Sequence, residues 1–297
     1  MLLNHLQQEI FRKYQLLLLA NLSVISWVCM IILPELFAIN IQLTLLLITV
    51  SIIGIPHGYF DFLIAKKLFN NYKSWLIKFI FSYLSISIIY LMGWLHFPEI
   101  ALMFFLVISI YHFGIEETEE IEDKNYLLIF LLGSAPIFIP ILFHTSEVFS
   151  FFSILLNYNF QPLFVLNELK YIYVILFLLF LINYKKLLFL YILLLINFIF
   201  LPPLISFILY FCFHHSLRHY LYSMSDSKIY PNSLNLRMPA LFFIILTITF
   251  TVIAISLMLE LTTYTFQYVI IKYIFITLAC LTLPHLILNI YYENTSK

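Results

Sequence analysis

Charge is what this chain has least of. Lys, Arg, Asp and Glu make up 10% of its 297 residues, where a soluble domain carries about 25%. So few charges cannot cover a water-facing surface of this size, which excludes a soluble globular protein. The 15 basic and 15 acidic residues cancel, so there is no positive field to gather nucleic acid. Cysteine is also scarce. Cys29, Cys212 and Cys280 lie in separate apolar runs, show neither CxxC spacing nor a disulfide framework, and read as small buried hydrophobes. The first twelve residues are mixed and lack the apolar core of a signal peptide, so no cleaved leader is expected. Glycine numbers only five, and two of the five bracket one histidine in "GIPHGYFDF", residues 54–62.

What the chain has in abundance is apolar sequence: 63% hydrophobic residues and a mean hydropathy of +1.02. A membrane-crossing helix needs about 20 mostly apolar residues. Windows of that kind fall at 15–33, 40–64, 77–95, 99–115, 126–143, 171–184, 187–201, 204–222, 238–259 and 268–290. Those at 171–184 and 187–201 are short, so the expectation is an all-α, polytopic transmembrane bundle of eight to ten spans. It forms a single integral-membrane catalytic domain over residues 1–297. The aromatic segment 146–169 is expected to lie along the interface or to re-enter the bilayer. With ten spans, Arg12, Lys13, Lys66, Lys67, Lys73, Lys78, Lys185, Lys186, Lys228, Arg237 and Lys297 all fall on one side. By the positive-inside rule that side is cytoplasmic. The reading is a multi-pass protein of the cell inner (plasma) membrane with both termini in the cytoplasm. Lys170 and Lys272 are the exceptions.

This topology places six histidines in one layer. His57, His112, the group His214, His215 and His219, and His285 all lie near the cytoplasmic ends of even-numbered spans. Ionisable groups at membrane depth are costly and usually face the bundle interior or a cavity. His5, His96 and His144 fall at predicted interfaces, where a histidine is comfortable. Neutral imidazole is the commonest metal ligand and suits iron, copper, zinc and nickel. His215 and His219 are four apart, so on a regular helix they share one face about 6 Å apart. His57 and His112 complete a set of four from three helices. Pro56 should kink its span, and Gly54 and Gly58 allow close helix approach. Asp61 and Glu116 each follow a histidine by four residues. They are candidates to hydrogen-bond ligating histidines and to offset a cation's charge, or else to pair with Arg218 or Lys66.

The segments "PHGYFD", "YHFGIEE", "HHSLRHYL" and "LPHLILN" together resemble the motifs of one family. These are the bacterial and archaeal Brp/Blh proteins, membrane-bound β-carotene 15,15′-dioxygenases that cut β-carotene centrally into two retinals. The resemblance spans about residues 15 to 290, with the motifs in order. It implies Fe2+ held by His57, His112, His215 and His219 as the catalytic residues. His285 would lie close by without necessarily binding metal, and Asp61, Glu116 and Arg218 would be supporting groups. It further implies β-carotene and O2 as substrates, and retinal passed to a rhodopsin. Tyr59 and Phe60 stand where the family usually has small residues, which would reshape the pocket. A polyene of this kind dissolves only in the lipid bilayer, which fits a site at membrane depth.

Three other readings are weighed at this point. Histidines on separate helices could ligate a b-type haem for electron transfer, although two ligands on one helix face cannot flank one porphyrin. A metal-ion or proton transporter would need a polar path to the outer face, and the outer halves of the spans are almost free of charge. A di-iron desaturase would need several HxxHH clusters, and only one HxxxH occurs.

Overall fold

The computed structural model describes residues 2–54, 58–69, 71–119, 121, 125–161, 167–220 and 237–296. Among these residues the regular structure is entirely helical. α1 runs Leu2–Ile32 and is followed by a 3-10 turn, Pro34–Phe37. α2, Ile39–Thr49, continues into a π-helical stretch, Val50–Gly54. α3 is Tyr59–Phe69, α4 Trp75–His96, α5 Pro98–Glu117 and α6 Tyr126–Phe143. The short α7, Thr145–Leu156, precedes α8, Asn167–Leu181, and α9, Lys185–Phe200. α10 starts at Pro203–Phe207 and becomes π-helical over Ile208–Ser216. α11, Arg237–Leu261, and α12, Phe266–Ser296, complete the bundle.

Most apolar windows read from the sequence coincide with one of these helices, while 40–64 runs from α2 through its π-helical stretch to α3 and 204–222 ends beyond the described residues. Among the described residues six segments are long and apolar enough to cross a membrane: Glu9–Ile32, Ile39–Phe69, Trp75–His96, Pro98–Glu117, Tyr126–Phe143 and Phe266–Tyr292. Thr145–Leu156, Leu169–Leu181 and Ile245–Leu261 are apolar but shorter. Such sequences fold as helices in lipid because each backbone N–H and C=O finds its partner within the segment. Many large apolar side chains, Ile31, Phe81 and Ile89 among them, are exposed, as expected for surfaces that face acyl chains.

Two contacts bring the helices close enough to build a site. α5 and α6 meet at Gly114 and Gly133. A Cβ on Gly114 would sit 2.1 Å from the Ile129 carbonyl oxygen, and one on Gly133 would sit 1.9 Å from that of Ile110. Only glycine fits at such a backbone-to-backbone crossing. The π-helical stretches of α2 and α10 pack on each other. Here a Cβ on Gly54 would lie 2.8 Å from the Phe211 ring. Among the described residues, a Cβ on Gly58 would meet only Asp61 Oδ2, at 4.0 Å, and the tight approaches fall at Gly54, Gly114 and Gly133.

Candidate functional site

Four of the predicted histidines are gathered by helices that are distant in sequence. His112 comes from α5, His215 from α10, His219 from the α-helical residues 217–220 that continue α10, and His285 from α12. The His112 ring lies 5.0 Å from that of His215 and 5.1 Å from that of His285, and His219 lies 5.4 Å from His285. His112, His215 and His285 are buried. His57 and Pro56 lie outside the described residues.

The carboxylate of Glu116 sits among these rings. It lies 3.5 Å from His112 Nε2, 3.2 Å from His215 Nδ1 and 3.9 Å from His219 Nε2. Two donors each about 2.1 Å from one ion lie roughly 3 Å apart, so these separations are close to those of groups sharing a cation. The donor atoms of His112, Glu116 and His285 also lie within 4.8 Å of one another. His285, however, is already engaged at both ring nitrogens. Its Nδ1 is 2.7 Å from Asp61 Oδ1 and its Nε2 is 3.0 Å from Asn289 Nδ2. The consistent tautomer donates from Nδ1 to the carboxylate and accepts at Nε2 from the amide. His285 is therefore hydrogen-bonded at both nitrogens beside the cluster, and the rings of His112, His215 and His219 approach Glu116.

Each histidine is held in place by its surroundings. Phe211, seated over Gly54, stacks on His215 at 5.7 Å between centroids, and Phe113 meets the same ring edge-on at 4.8 Å. Phe60 lies 5.9 Å from His219. Tyr83 donates to Asp61 Oδ2 at 2.8 Å, leaving Oδ1 for His285.

A second cluster lies beside the first and was not anticipated. Glu117, fully buried, approaches His214 Nε2 at 2.7 Å and Arg218 at 3.0 Å. Arg218 thus pairs with Glu117, where the sequence reading offered it to Asp61 or Glu116. Gln15 of α1 donates to the carbonyl oxygens of Phe213 and His214. Two further residues escaped the sequence reading, Glu117 and Tyr83. The doubled acid in "IEE" was the available signal for the first: two neighbouring acids on an apolar helix cannot both be solvated. Nothing local marked the second.

A cavity of about 620 Å³ adjoins the histidines, and His112, His215, His285 and Asp61 lie in its wall. The rest of the lining is almost wholly apolar and aromatic, drawn from α3 to α7 and α10 to α12. This combination of a few convergent polar groups and a long apolar cavity suits an apolar substrate presented to a metal-type donor set.

The comparisons with known proteins agree with one another. The family profile described as "Beta-carotene 15,15'-dioxygenase" matches residues 48–291. A curated protein described as "Beta-carotene 15,15'-dioxygenase", from Uncultured marine bacterium 66A03, is 30% identical over 259 residues. That alignment covers 80% of this chain and 90% of the relative. No solved structure matches the chain.

Proposed function

The chain belongs to the β-carotene 15,15′-dioxygenase family and is a carotenoid-cleaving dioxygenase, and from that premise we propose that it converts β-carotene and O2 into two molecules of retinal at an iron centre inside the membrane. The central C=C bond breaks and each of its carbons takes one oxygen atom. O2 is the oxidant, the two carbons become aldehydes, and no further reductant is needed. The observation that carries this reading is the long apolar cavity whose wall includes the histidine cluster.

The residues present suit iron. His57, His112, His215 and His219 are the proposed ligands, all imidazoles, a donor type that suits Fe(II). Glu116 lies within reach of three of them and offsets part of the charge. Iron, when bound, supplies the redox chemistry with O2 that no side chain provides. The protein's own tasks are different. Phe211, Phe113 and Phe60 fix the imidazole rings and keep water from them. Asp61 orients His285 against His112. The apolar walls place the polyene next to the cluster.

We further read the chain as a plasma-membrane protein of eight to ten spans with both termini cytoplasmic, feeding its retinal to a rhodopsin. The test of the activity is expression in cells that accumulate β-carotene. The expected result is loss of pigment and extractable retinal. Persistent colour with folded, iron-supplied protein would remove the proposal.

A further inference from the structure

The cavity extends to both sides of the histidines, and its two arms end differently. One arm runs along α5 from His112 to Leu102, ten residues or about 15 Å at 1.5 Å per residue. It ends under α7. Thr145, the first residue of α7, follows the far end of α6 with a single residue between them. At the other end of α7, Tyr158 donates to Glu99 in the first turn of α5, and Asn157 accepts from Tyr268 and Lys272 near the start of α12. Both ends of α7 are thus tied to the bundle end farthest from the histidines, so α7 lies across that end. Its buried face, Val148, Phe151 and Leu155, lines the cavity there. The other arm passes Asp61 and Tyr83 and follows α4 to Leu76, about 10 Å beyond Tyr83. There the lining residues Leu76, Ile80 and Leu84 are 39%, 45% and 52% exposed. One arm is closed and the other opens towards lipid.

We propose that Phe151 and Leu155 form a stop that sets which double bond of the polyene lies at the histidine cluster. The inference rests on the β-carotene reading given above. A polyene carries no polar group by which to be read, and its neighbouring double bonds are nearly alike. Only distance from an end distinguishes the central bond. A C40 carotene is roughly 30 Å long, about the thickness of the hydrocarbon core, so half of it is roughly 15 Å. The closed arm is about that long. A molecule entering from α4 advances until its leading ring meets α7, and its central bond then lies beside His112. The trailing half occupies the open arm and extends towards the lipid.

The test uses the purified, iron-loaded protein with β-carotene in detergent micelles and separates the carbonyl products by length. Phe151→Ala with Leu155→Ala deepens the closed arm, and Val148→Phe shortens it. In each variant the unequal pair of carbonyl products, one longer and one shorter than retinal, should rise about tenfold relative to retinal, a factor equivalent to about 1.4 kcal/mol of lost register preference. Phe151→Leu is a milder form should the double variant fail to fold. Variants that cleave only to retinal would overturn the stop. Wild-type protein that releases no aldehyde would instead sink the activity, and polyene binding then decides the stop. In that case Val148→Phe must lower β-carotene affinity about tenfold, within the range of overpacking effects, and leave retinal affinity unchanged. Equal effects on both ligands would overturn the stop.

Discussion

Glu117 and His214 form a buried pair, 2.7 Å from carboxylate to ring, and the residues beside them, Glu116 and His215, form the next pair at 3.2 Å. Two adjacent acids on α5 meet two adjacent histidines on α10, one pair in each cluster. The inner pair belongs to the candidate iron site and the outer pair to an ionic contact with Arg218. The two pairs should respond differently to mutation. Glu117→Ala leaves Arg218 and His214 without their carboxylate, and breaking a buried ion pair costs about 3–5 kcal/mol. Thermal unfolding in detergent should show a large fall for this variant. A wild-type melting temperature would mean that the pair does not hold α5 to α10.

Glu116→Ala should do the reverse. Loss of a group that supports metal ligands typically costs about 10–100-fold in affinity or activity. The expected outcome is a near-normal melting curve with weakened iron retention, read by metal analysis after dialysis. Full iron retention would remove Glu116 from the site.

The three histidines of α10 separate in the same way. His215→Ala and His219→Ala should each abolish iron binding and cleavage, since both rings approach Glu116. His214→Ala should keep its iron and measurable turnover while losing stability through Glu117. Iron stoichiometry for the three purified variants decides this. A His214→Ala protein without iron, beside a His215→Ala protein that retains it, would reverse the assignment.

Asp61 is bonded to both His285 and Tyr83. Asp61→Ala removes the acceptor of both hydrogen bonds and should weaken iron retention by about 10–100-fold. Tyr83→Phe removes a hydrogen bond to the same carboxylate, a loss of about 1.5–3 kcal/mol, but leaves the Asp61–His285 bond in place, so its effect on iron retention should be smaller. Equal losses in the two variants would show that Tyr83 itself serves the site.

Gly133→Ala puts a methyl group 1.9 Å from the Ile110 carbonyl oxygen. Overpacking costs about 1–3 kcal/mol and sometimes more, and here a backbone must move. Both stability and iron content should fall, because His112 lies two residues beyond Ile110 on α5. Gly93 has nothing within 4 Å of its notional Cβ. Gly93→Ala in α4 should be tolerated, and helix propensity favours it by up to about 1 kcal/mol. Similar melting curves for the two variants would refute the close crossing.

The helices were readable because composition and length alone mark a segment that lipid will accept. The depth of His112, His215 and His285 followed from the same windows, since position along a span fixes the level in the bundle. What was not readable depends on azimuth and neighbours. Glu117 and Arg218 meet only because α5 lies beside α10, a fact that no periodicity encodes. The π-helical turns of Ile208–Ser216 also re-phase the side chains, so the angular spacing of a regular helix does not apply across His214 and His215. Segment 146–169 fits either placement because an amphipathic stretch of that length is compatible with both.

The closed end under α7 also breaks a symmetry. β-carotene has two identical halves, but a pocket with one blind arm treats them as different objects. On the proposed reading, the half in the open arm would become a product already next to lipid, whereas its twin would have to travel back past the histidines to escape. Two chemically identical molecules born in one event would then leave at two rates. A rapid-quench time course that separates bound from released retinal should show half the product leaving before the other half.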